Sequence, residues 1–561
     1  MKSTKLLALL LALVMVVTLA ACGETKPDPT NAPTTAPTTV PTAAPTTAPT
    51  TVPTAAPTTA PTEAPTTAPT VEPTEAPTDA PVMEGTVVIT LSDGQILVDG
   101  DPAGTDPEAA VYVANDIVYY EAGHDFTYGE GEKSDEHTAD EAAAHTVVHI
   151  TRPGTYSLSG NLSKGQIAVD LGDDAKKDPS AVVTLILNGV DIICEVAPAV
   201  IFYNVYECGS DDADTATKDV DTSAAGANVI IADGTENTVH GSYVARIYKP
   251  GTVELNAAGT EVLDAKKLHK YDAAFYSRKS MNVSGGELGT GVLNIYADNE
   301  GLDSELHLTV NGGNINIFSG NDGINTNEDG VSVTTINGGT LKIQVTGETG
   351  EGDGIDSNGW LVINGGTVTA AACSFSGDAG IDSDMGIHIN GGTVIATGSM
   401  LDHIENGGQT YVVFSFSQKQ DGMKTVCLKN EAGEAILEHI PENNFTIMVF
   451  TSPELVEGTY TLWSDGVQQA GVAGGVEGFP GMTGGMPGGF GERPEPPEGE
   501  GFPGGNGDRP EPPEGGGHRP PMDGGSGGFP GEGFEGDNQE RFTEFRIING
   551  ENSYSQIGPA A

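Results

Sequence analysis

Acidic side chains recur at one position of a repeat in the middle of this 561-residue chain. Each copy of the repeat has glycine, then leucine or isoleucine, then Asp or Asn, then Ser or Thr. Neighbouring side chains of a strand point to opposite faces, so the acid would point outward. If the copies stack as adjacent strands, their acids lie about 4.8 Å apart and form a column. The copies are Gly301-Leu302-Asp303-Ser304, Gly323-Ile324-Asn325-Thr326, Gly354-Ile355-Asp356-Ser357 and Gly380-Ile381-Asp382-Ser383.

Such a column favours a bound cation. Two unit charges at that distance repel by about 3 to 4 kcal/mol at an effective dielectric constant of about 20, against a typical domain stability of roughly 5 to 15 kcal/mol. Ca²⁺ accepts about six to eight oxygen ligands in a loose geometry, whereas zinc and copper favour thiolate or imidazole clusters, which the sequence lacks. We therefore predict calcium as the cofactor. The candidate ligands are Asp298, Glu300, Asp303, Glu305, Asp322, Asn325, Asp353, Asp356, Asp378, Asp382 and Asp384.

A metal-free alternative stays open. The side chains of Ser304, Asn325, Thr326 and Ser357 could relieve the repulsion through hydrogen bonds. A second set of amides, which follows the strands rather than the acidic motif, is predicted to form a hydrogen-bonded ladder at a bend. That set is Asn311, Asn337, Asn364 and Asn390.

Gly-Gly pairs define the elements that position the acids. They begin at Gly285, Gly312, Gly338, Gly365 and Gly391, at steps of 27, 26, 27 and 26 residues. Short stretches of alternating apolar residues flank them, which is the pattern of strands. A unit of this length cannot enclose a core alone and must stack on its neighbours. The sequence thus predicts an all-β protein whose repeats form a parallel β-helix, a solenoid.

One basic patch stands out beside the first repeats. Tyr276, Arg278 and Lys279 could hold an anionic sugar, with the tyrosine ring as a stacking platform, or the cations could only offset nearby acids. The acidic loops, among them Ser210 to Asp221, are predicted to be solvated surface. Sequence motifs of metalloproteases, serine hydrolases and phosphate-binding loops are absent.

The net charge limits which partners the protein can bind, and the amino-terminal sequence indicates where it is located. The net charge of −54 would repel nucleic acid. Lys2 and Lys5 precede an apolar run that is too short to span a membrane and ends at Cys22 in a sequence resembling the bacterial lipobox. We predict an exported protein, lipid-anchored through Cys22 to the membrane at the bacterial cell surface.

Composition divides the chain into seven segments. The central ones read as strands, whereas the Thr/Pro-rich and Gly/Pro/Glu-rich stretches cannot bury a core. The predicted segments are a signal peptide with the lipobox cysteine (1–22), a disordered Thr/Pro-rich linker or stalk (23–82), a β-rich amino-terminal region (83–145), the parallel β-helix (146–408), a small β cap (409–470), a Gly/Pro/Glu-rich low-complexity loop (471–541) and a terminal strand with a tail (542–561).

Several runs in order resemble a known bacterial family. They are Val148 to Gly160, Gly165 to Val169, Leu185 to Val190 and Ala274 to Lys279, the last leading into the Gly-Gly repeats. The family is that of exported carbohydrate-binding domains similar to pectate lyases, and the resemblance spans about residues 146–463. It implies a right-handed parallel β-helix that binds calcium and associates with plant cell-wall polysaccharide, binding it rather than cleaving it.

The resemblance also assigns residues. It implies that Asp303, Asn325, Asp356 and Asp382, with the acids before each glycine, are the calcium ligands. The copies at Gly323 and Gly354 are 31 residues apart, which departs from the regular turn and leaves the place of Asp353 open.

The leading hypothesis is a surface-anchored, calcium-binding protein that captures acidic pectin (polygalacturonate), cellulose or both. One alternative is a calcium-dependent polysaccharide lyase in which Lys279 removes the proton beside a uronate carboxylate. Another is an adhesin or scaffold that binds a protein partner and uses calcium only to stiffen the solenoid.

Overall fold

The computed structural model describes residues 85–474 and 541–560. This part of the chain is all-β, as predicted, and its helices are short: α1 spans Ala139–Ala143 and a single 3-10 turn spans Ala175–Lys177. None of its helices is long and apolar enough to cross a membrane. The predicted signal peptide, the lipid-anchored Cys22, the linker 23–82 and nearly all of the 471–541 loop lie outside the described residues.

Strands follow one another along both described segments. Those before the repeats are β1 Val87–Leu91, β2 Leu97–Val98, β3 Asp101–Pro102 and β4 Val111–Ala114. The next are β5 Thr146–Ile150, β6 Gly154–Leu162, β7 Gly165–Asp170, β8 Val183–Cys194, β9 Val200–Asn204, β10 Ala227–Ile231, β11 Glu236–Gly241, β12 Val244–Tyr248, β13 Glu254–Leu255, β14 Val262–Asp264, β15 Lys267–Tyr271, β16 Ala273–Ser277, β17 Met281–Gly285, β18 Val292–Ala297, β19 Glu300–Ser304, β20 His307–Val310, β21 Asn314–Ser319, β22 Ile324–Thr326, β23 Val333–Ile336, β24 Thr340–Val345, β25 Trp360–Ile363, β26 Thr367–Ala371, β27 Ile387–Ile389 and β28 Thr393–Gly398. The last are β29 Tyr411–Gln420, β30 Val426–Lys429, β31 Ala435–His439, β32 Phe445–Thr451, β33 Gly458–Ser464, β34 Val467–Ala473, β35 Phe545–Ile547 and β36 Glu551–Pro559.

Parallel pairing joins equivalent strands of successive repeats into three ladders. The first contains β6, β8, β10, β17, β20, β23, β25 and β27. The second continues from β8 through β11, β18, β21, β24, β26 and β28. The third contains β5, β7, β9, β16, β19 and β22. Successive repeats are thus stacked in register, one strand spacing apart.

Apolar side chains stack in the same register. Leu293, Ile315 and Leu341 are partners in the second ladder, and all three are buried. Their strand neighbours Asn314 and Asn316 are only half-buried, which is the predicted alternation. Because every repeat adds its apolar residues to the same stack, the core runs continuously along the repeats.

The strands after the repeats form a second core. β32 pairs antiparallel with β28, so the parallel order ends there, and β29 pairs with β32 and β36. Phe414, Phe450 and Phe545 lie in this core, which includes residues from both sides of the undescribed segment. Residues 541–560 therefore return to pair with the strands that precede that segment.

Close approach of successive repeats explains the glycine of the acidic motif. A Cβ atom on Gly301 would lie 2.5 Å from the carbonyl oxygen of Gly323. The same atom on Gly323 would lie 2.6 Å from the oxygen of Gly354, and on Gly354 it would lie 2.4 Å from that of Gly380. Only a residue without a side chain fits between these strands.

Gly323→Ala should lower the free energy of unfolding by about 1 to 3 kcal/mol, because the new methyl group also meets Ile343 and the backbone cannot yield locally. Gly377→Ala is the matched control, since a Cβ there meets no atom within 4 Å, and it should change stability by less than about 0.5 kcal/mol. Urea denaturation measures both. Equal stability of the two variants would contradict this packing.

Candidate functional site: two rows of acidic side chains

Equivalent residues of the acidic motif form one row. β19 and β22 pair in parallel, which places Asp303 beside Asn325. The backbone N–H of Asp356 donates to the preceding repeat at 2.8 Å, and that of Asp382 does the same at 2.7 Å. Asp303, Asn325, Asp356 and Asp382 therefore occupy successive positions of what we call the motif row.

The acids that precede each glycine form a second row, the pre-glycine row, of Glu300, Asp322 and Asp353. The backbone N–H of Asp353 donates to the carboxylate of Asp322 at 2.7 Å, and that of Ala379 donates to the carboxylate of Asp353 at 2.5 Å. The longer turn between the second and third copies of the motif thus leaves Asp353 in the row. Asp378, one residue out of step, accepts from the N–H of Gly352 at 2.8 Å.

Three oxygen atoms at the first end of the rows are buried without a partner. Asp303 is 0% exposed, Glu300 6% and Asn325 7%. The amide of Asn325 donates to Glu300 at 3.1 Å, and that of Asn327 donates to Asp303 at 2.7 Å. Yet Glu300 Oε2, Asp303 Oδ2 and Asn325 Oδ1 accept no hydrogen bond. We call these atoms the buried oxygen set. Because buried polar atoms nearly always have a hydrogen-bond partner or a bound ion, we expect this set to have one.

Burial raises the pKa of the carboxyl groups in both rows, and mutual repulsion raises it further. For Glu300 the cause after burial is the charge of Asp303, and for Asp322 it is the charge of Glu300. The pKa of Asp303, Asp353 and Asp356 is likewise well above the ordinary value. At neutral pH these groups need either protons or a cation.

The other end of the rows is more accessible. Asp382 and Asp402 are half-buried and Asp384 is exposed. Burial and then the charges of Asp402, Asp356 and Asp384 raise the pKa of Asp382 to about 8. We call Asp356, Asp382, Asp384 and Asp402 the accessible acidic end.

Sequence reasoning missed two acids at this site. Asp402 accepts a hydrogen bond from the backbone N–H of Ser383 at 3.1 Å. The Leu401-Asp402 pair repeats Ile381-Asp382 but without the preceding glycine, which was the signal available. Asp272 is buried and lies 3.5 Å from Arg246, and its charge contributes to the raised pKa of Glu300.

Two further predicted ligands, Asp298 and Glu305, have partners outside the rows. Asp298 is exposed, and its carboxylate lies 3.5 Å from His240. Although burial acts against it, hydrogen bonds with His240 and Ser242 lower the pKa of Asp298. Glu305 accepts a hydrogen bond from the hydroxyl of Tyr276. In this structure the side chain of Asp298 thus pairs with a histidine and not with an acid of the rows.

The basic patch differs from the prediction in one residue. Tyr276 is 0% exposed, so its ring has no free face on which a sugar could stack, and the stacking role is corrected. Arg278 is exposed and Lys279 is half-buried. Burial lowers the pKa of Lys279; the charge of Glu207 opposes this, and the charges of Arg278 and Lys176 lower the pKa further. Lys176, far away in sequence, thus joins the patch.

The donor chemistry suits calcium, although the geometry is not that of a carboxylate cluster. Within residues 85–474 and 541–560, no group of three or more His, Cys, Asp or Glu side chains could hold a metal ion as it stands. The buried oxygen set has two carboxylates and one amide, all oxygen donors without a competing partner. Such donors fit Ca²⁺, which would take its other ligands from backbone carbonyls or water.

Comparison with known proteins agrees with the sequence resemblance. Residues 144–413, which contain both rows and the basic patch, match the family described as carbohydrate-binding domain-containing protein. The resemblance to carbohydrate-binding domains is thereby confirmed over this segment. A solved structure, described as the polysaccharide lyase-like protein from C. thermocellum, gadolinium derivative, is similar at 19% identity; the match covers 55% of this chain and 90% of that chain with a TM-score of 0.31. No curated protein matches the chain.

Without a divalent cation, the protein should become more stable as the pH falls from about 8 toward 4. The carboxyl groups of the rows have a higher pKa in the folded state than in the unfolded chain, so the folded state binds more protons between the two values. Their contribution is complete below the unfolded pKa of about 4 and is lost as the pH rises through the folded values. Thermal melting in a chelator across this range measures it, and a melting temperature that rises with pH would contradict it.

Proposed function

We propose that this chain is a calcium-binding, carbohydrate-binding protein that captures plant cell-wall polysaccharide. The family match to residues 144–413 supports carbohydrate binding. The buried oxygen set is the observation that supports calcium. Three unpartnered oxygen atoms among acidic side chains form an environment that a hard cation stabilises. In this proposal the three ladders wind as a right-handed parallel β-helix.

A calcium ion in the buried oxygen set would stabilise the folded protein. Asp303 and Glu300 have almost no exposed surface, so a polysaccharide has no direct access to a cation between them. A cation there would offset the repulsion along the rows and stiffen the stack. This part of the proposal agrees with the scaffold hypothesis, in which calcium has a structural role.

A calcium ion at the accessible acidic end would bind the polysaccharide directly. Asp382, Asp384 and Asp402 reach solvent, so a cation held there keeps ligand positions open for a uronate carboxylate. The pKa of Asp382, about 8, means that the cation must displace a proton at neutral pH. Acidic pectin supplies a carboxylate on each uronate, so repeated calcium bridges would add avidity.

The basic patch would assist at a distance from that end. Arg278 is exposed. Its guanidinium can donate to a sugar carboxylate in two parallel hydrogen bonds. The lipid anchor at Cys22 and the stalk 23–82 belong to the proposal as the means of presentation at the bacterial cell surface, with acidic pectin, cellulose or both as the polymer.

A lyase is the second candidate, and one observation favours it. Burial lowers the pKa of Lys279 despite the opposing charge of Glu207, and a lowered pKa is what a lysine needs to act as a general base. The side chain would remove the proton beside a uronate carboxylate that calcium acidifies, and the product would carry a carbon–carbon double bond. Binding without turnover is the leading proposal because the matching family is described by carbohydrate binding.

Retention on polygalacturonate and on cellulose, in calcium or in EGTA, tests the proposal. Polygalacturonate should retain the wild-type protein only in calcium, and Asp382→Asn should bind it roughly tenfold more weakly because one bridging charge is lost. Asp298→Asn is the matched control, since the same change falls on an exposed acid outside the rows, and it should bind as the wild type does.

Equal retention on polygalacturonate in calcium and in EGTA, or no retention on either polymer, would refute the proposal. The same incubations, followed by ultraviolet absorbance, detect unsaturated product. Its appearance, together with its loss in Lys279→Ala, would establish the lyase instead.

A further inference from the structure

A polar groove lies outside the acidic rows, on the first ladder. It has a volume of about 480 Å³. One side is a rail of asparagines at the bends after the strands, and the floor is a row of side chains from β17, β20, β23 and β25. The opposite wall is the segment 218–223, part of a loop whose sequence favours plain solvated surface.

The asparagines of the rail are bonded to one another as predicted. Asn337 donates to Asn311 at 2.9 Å, Asn364 to Asn337 at 2.9 Å and Asn390 to Asn364 at 2.8 Å. All four are exposed. An asparagine has two N–H donors and an oxygen with two lone pairs, so Asn337 and Asn364 each keep one donor and one acceptor free. The rail thus presents a donor and an acceptor at every repeat, about 4.8 Å apart.

The floor repeats at the same spacing. Asn282, Thr309, Thr335 and Val362 are partners in register, one from each successive strand. The wall is fixed onto this floor through Thr222, whose hydroxyl bonds Asn282 at 2.8 Å and lies 2.6 Å from that of Thr309. The groove is therefore preformed, which lowers the entropy cost of binding.

Charge and topology select the kind of ligand. In the wall, Lys218 is paired with Asp219 at 2.6 Å, and hydrogen bonds from Ser223 lower the pKa of Asp221, which leaves the wall negative at neutral pH. Such a wall repels a polyuronate. An extended peptide has no strand edge to join, because β20, β23 and β25 are each paired on both sides.

We propose that this groove is a second carbohydrate-binding site, which takes an uncharged glycan chain along the stacking direction without calcium. Hydroxyl groups of the sugar would use the free donors and acceptors of the rail, and the half-buried Val220 of the wall would contact its C–H face. The inference rests on the carbohydrate-binding function proposed above, and it gives the uncharged polymer a binding site separate from the calcium site. All of its residues lie within the segment 144–413.

Calorimetric titration of the full chain with cellohexaose in EGTA tests this site apart from the calcium site. The wild type should bind, and Asn337→Ala should bind about five- to tenfold more weakly, because free hydrogen-bonding groups of the rail are lost. Thr335→Val, which keeps the side-chain shape and leaves the rail intact, should also weaken binding. Asn316→Ala is the matched control, since Asn316 bonds Asn294 at 2.9 Å in a similar pair outside the groove.

Each outcome bears on the proposal. Absence of cellohexaose binding by the wild type, or wild-type affinity in both Asn337→Ala and Thr335→Val, overturns it. Equal binding of hexagalacturonate in EGTA overturns the preference for an uncharged chain. Calcium-dependent retention of Asn337→Ala on polygalacturonate shows that the two sites are separate, whereas its loss along with cellohexaose binding would contradict that separation.

Discussion

Repulsion between carboxylates held one strand spacing apart is the interaction on which the rest of this structure depends. Backbone hydrogen bonds fix the distance between repeats, so the acids of the two rows cannot move away from one another. Burial of Asp303 and Glu300 removes the water that would screen them. The rows must therefore bind protons or cations, and our proposal places a cation at the three unpartnered oxygen atoms of the first end.

Stacking in register turns a short motif into an extended surface. The glycine of the acidic motif lets adjacent strands approach so closely that a Cβ atom on Gly301 would lie 2.5 Å from the next carbonyl oxygen, well inside van der Waals contact. The same register repeats an amide along the asparagine rail. One face of the repeats thus presents carboxylates, and another presents a row of uncharged amides.

The sequence predicts the parts of the site that repeat. The spacing of the Gly-Gly pairs and the Gly-Ile-Asp motifs locates both rows and the rail, because periodic residues of stacked strands must align. It does not locate what depends on distant segments. Tyr276 is buried because Tyr271 of β15 packs against its ring, with centroids 5.5 Å apart, and that strand belongs to no repeat. The wall of the groove is likewise an irregular loop, which Thr222 anchors to strands far away in sequence.

Calorimetric titration of the chelator-treated protein with calcium tests the central claim most directly. The wild type should bind calcium, and Asp303→Asn should lose at least one binding event because it removes a charged member of the buried oxygen set. Asp298→Asn should bind as the wild type does, since its side chain pairs with His240 outside the rows. Absence of calcium uptake by the wild type, or an unchanged isotherm for Asp303→Asn, would contradict the account.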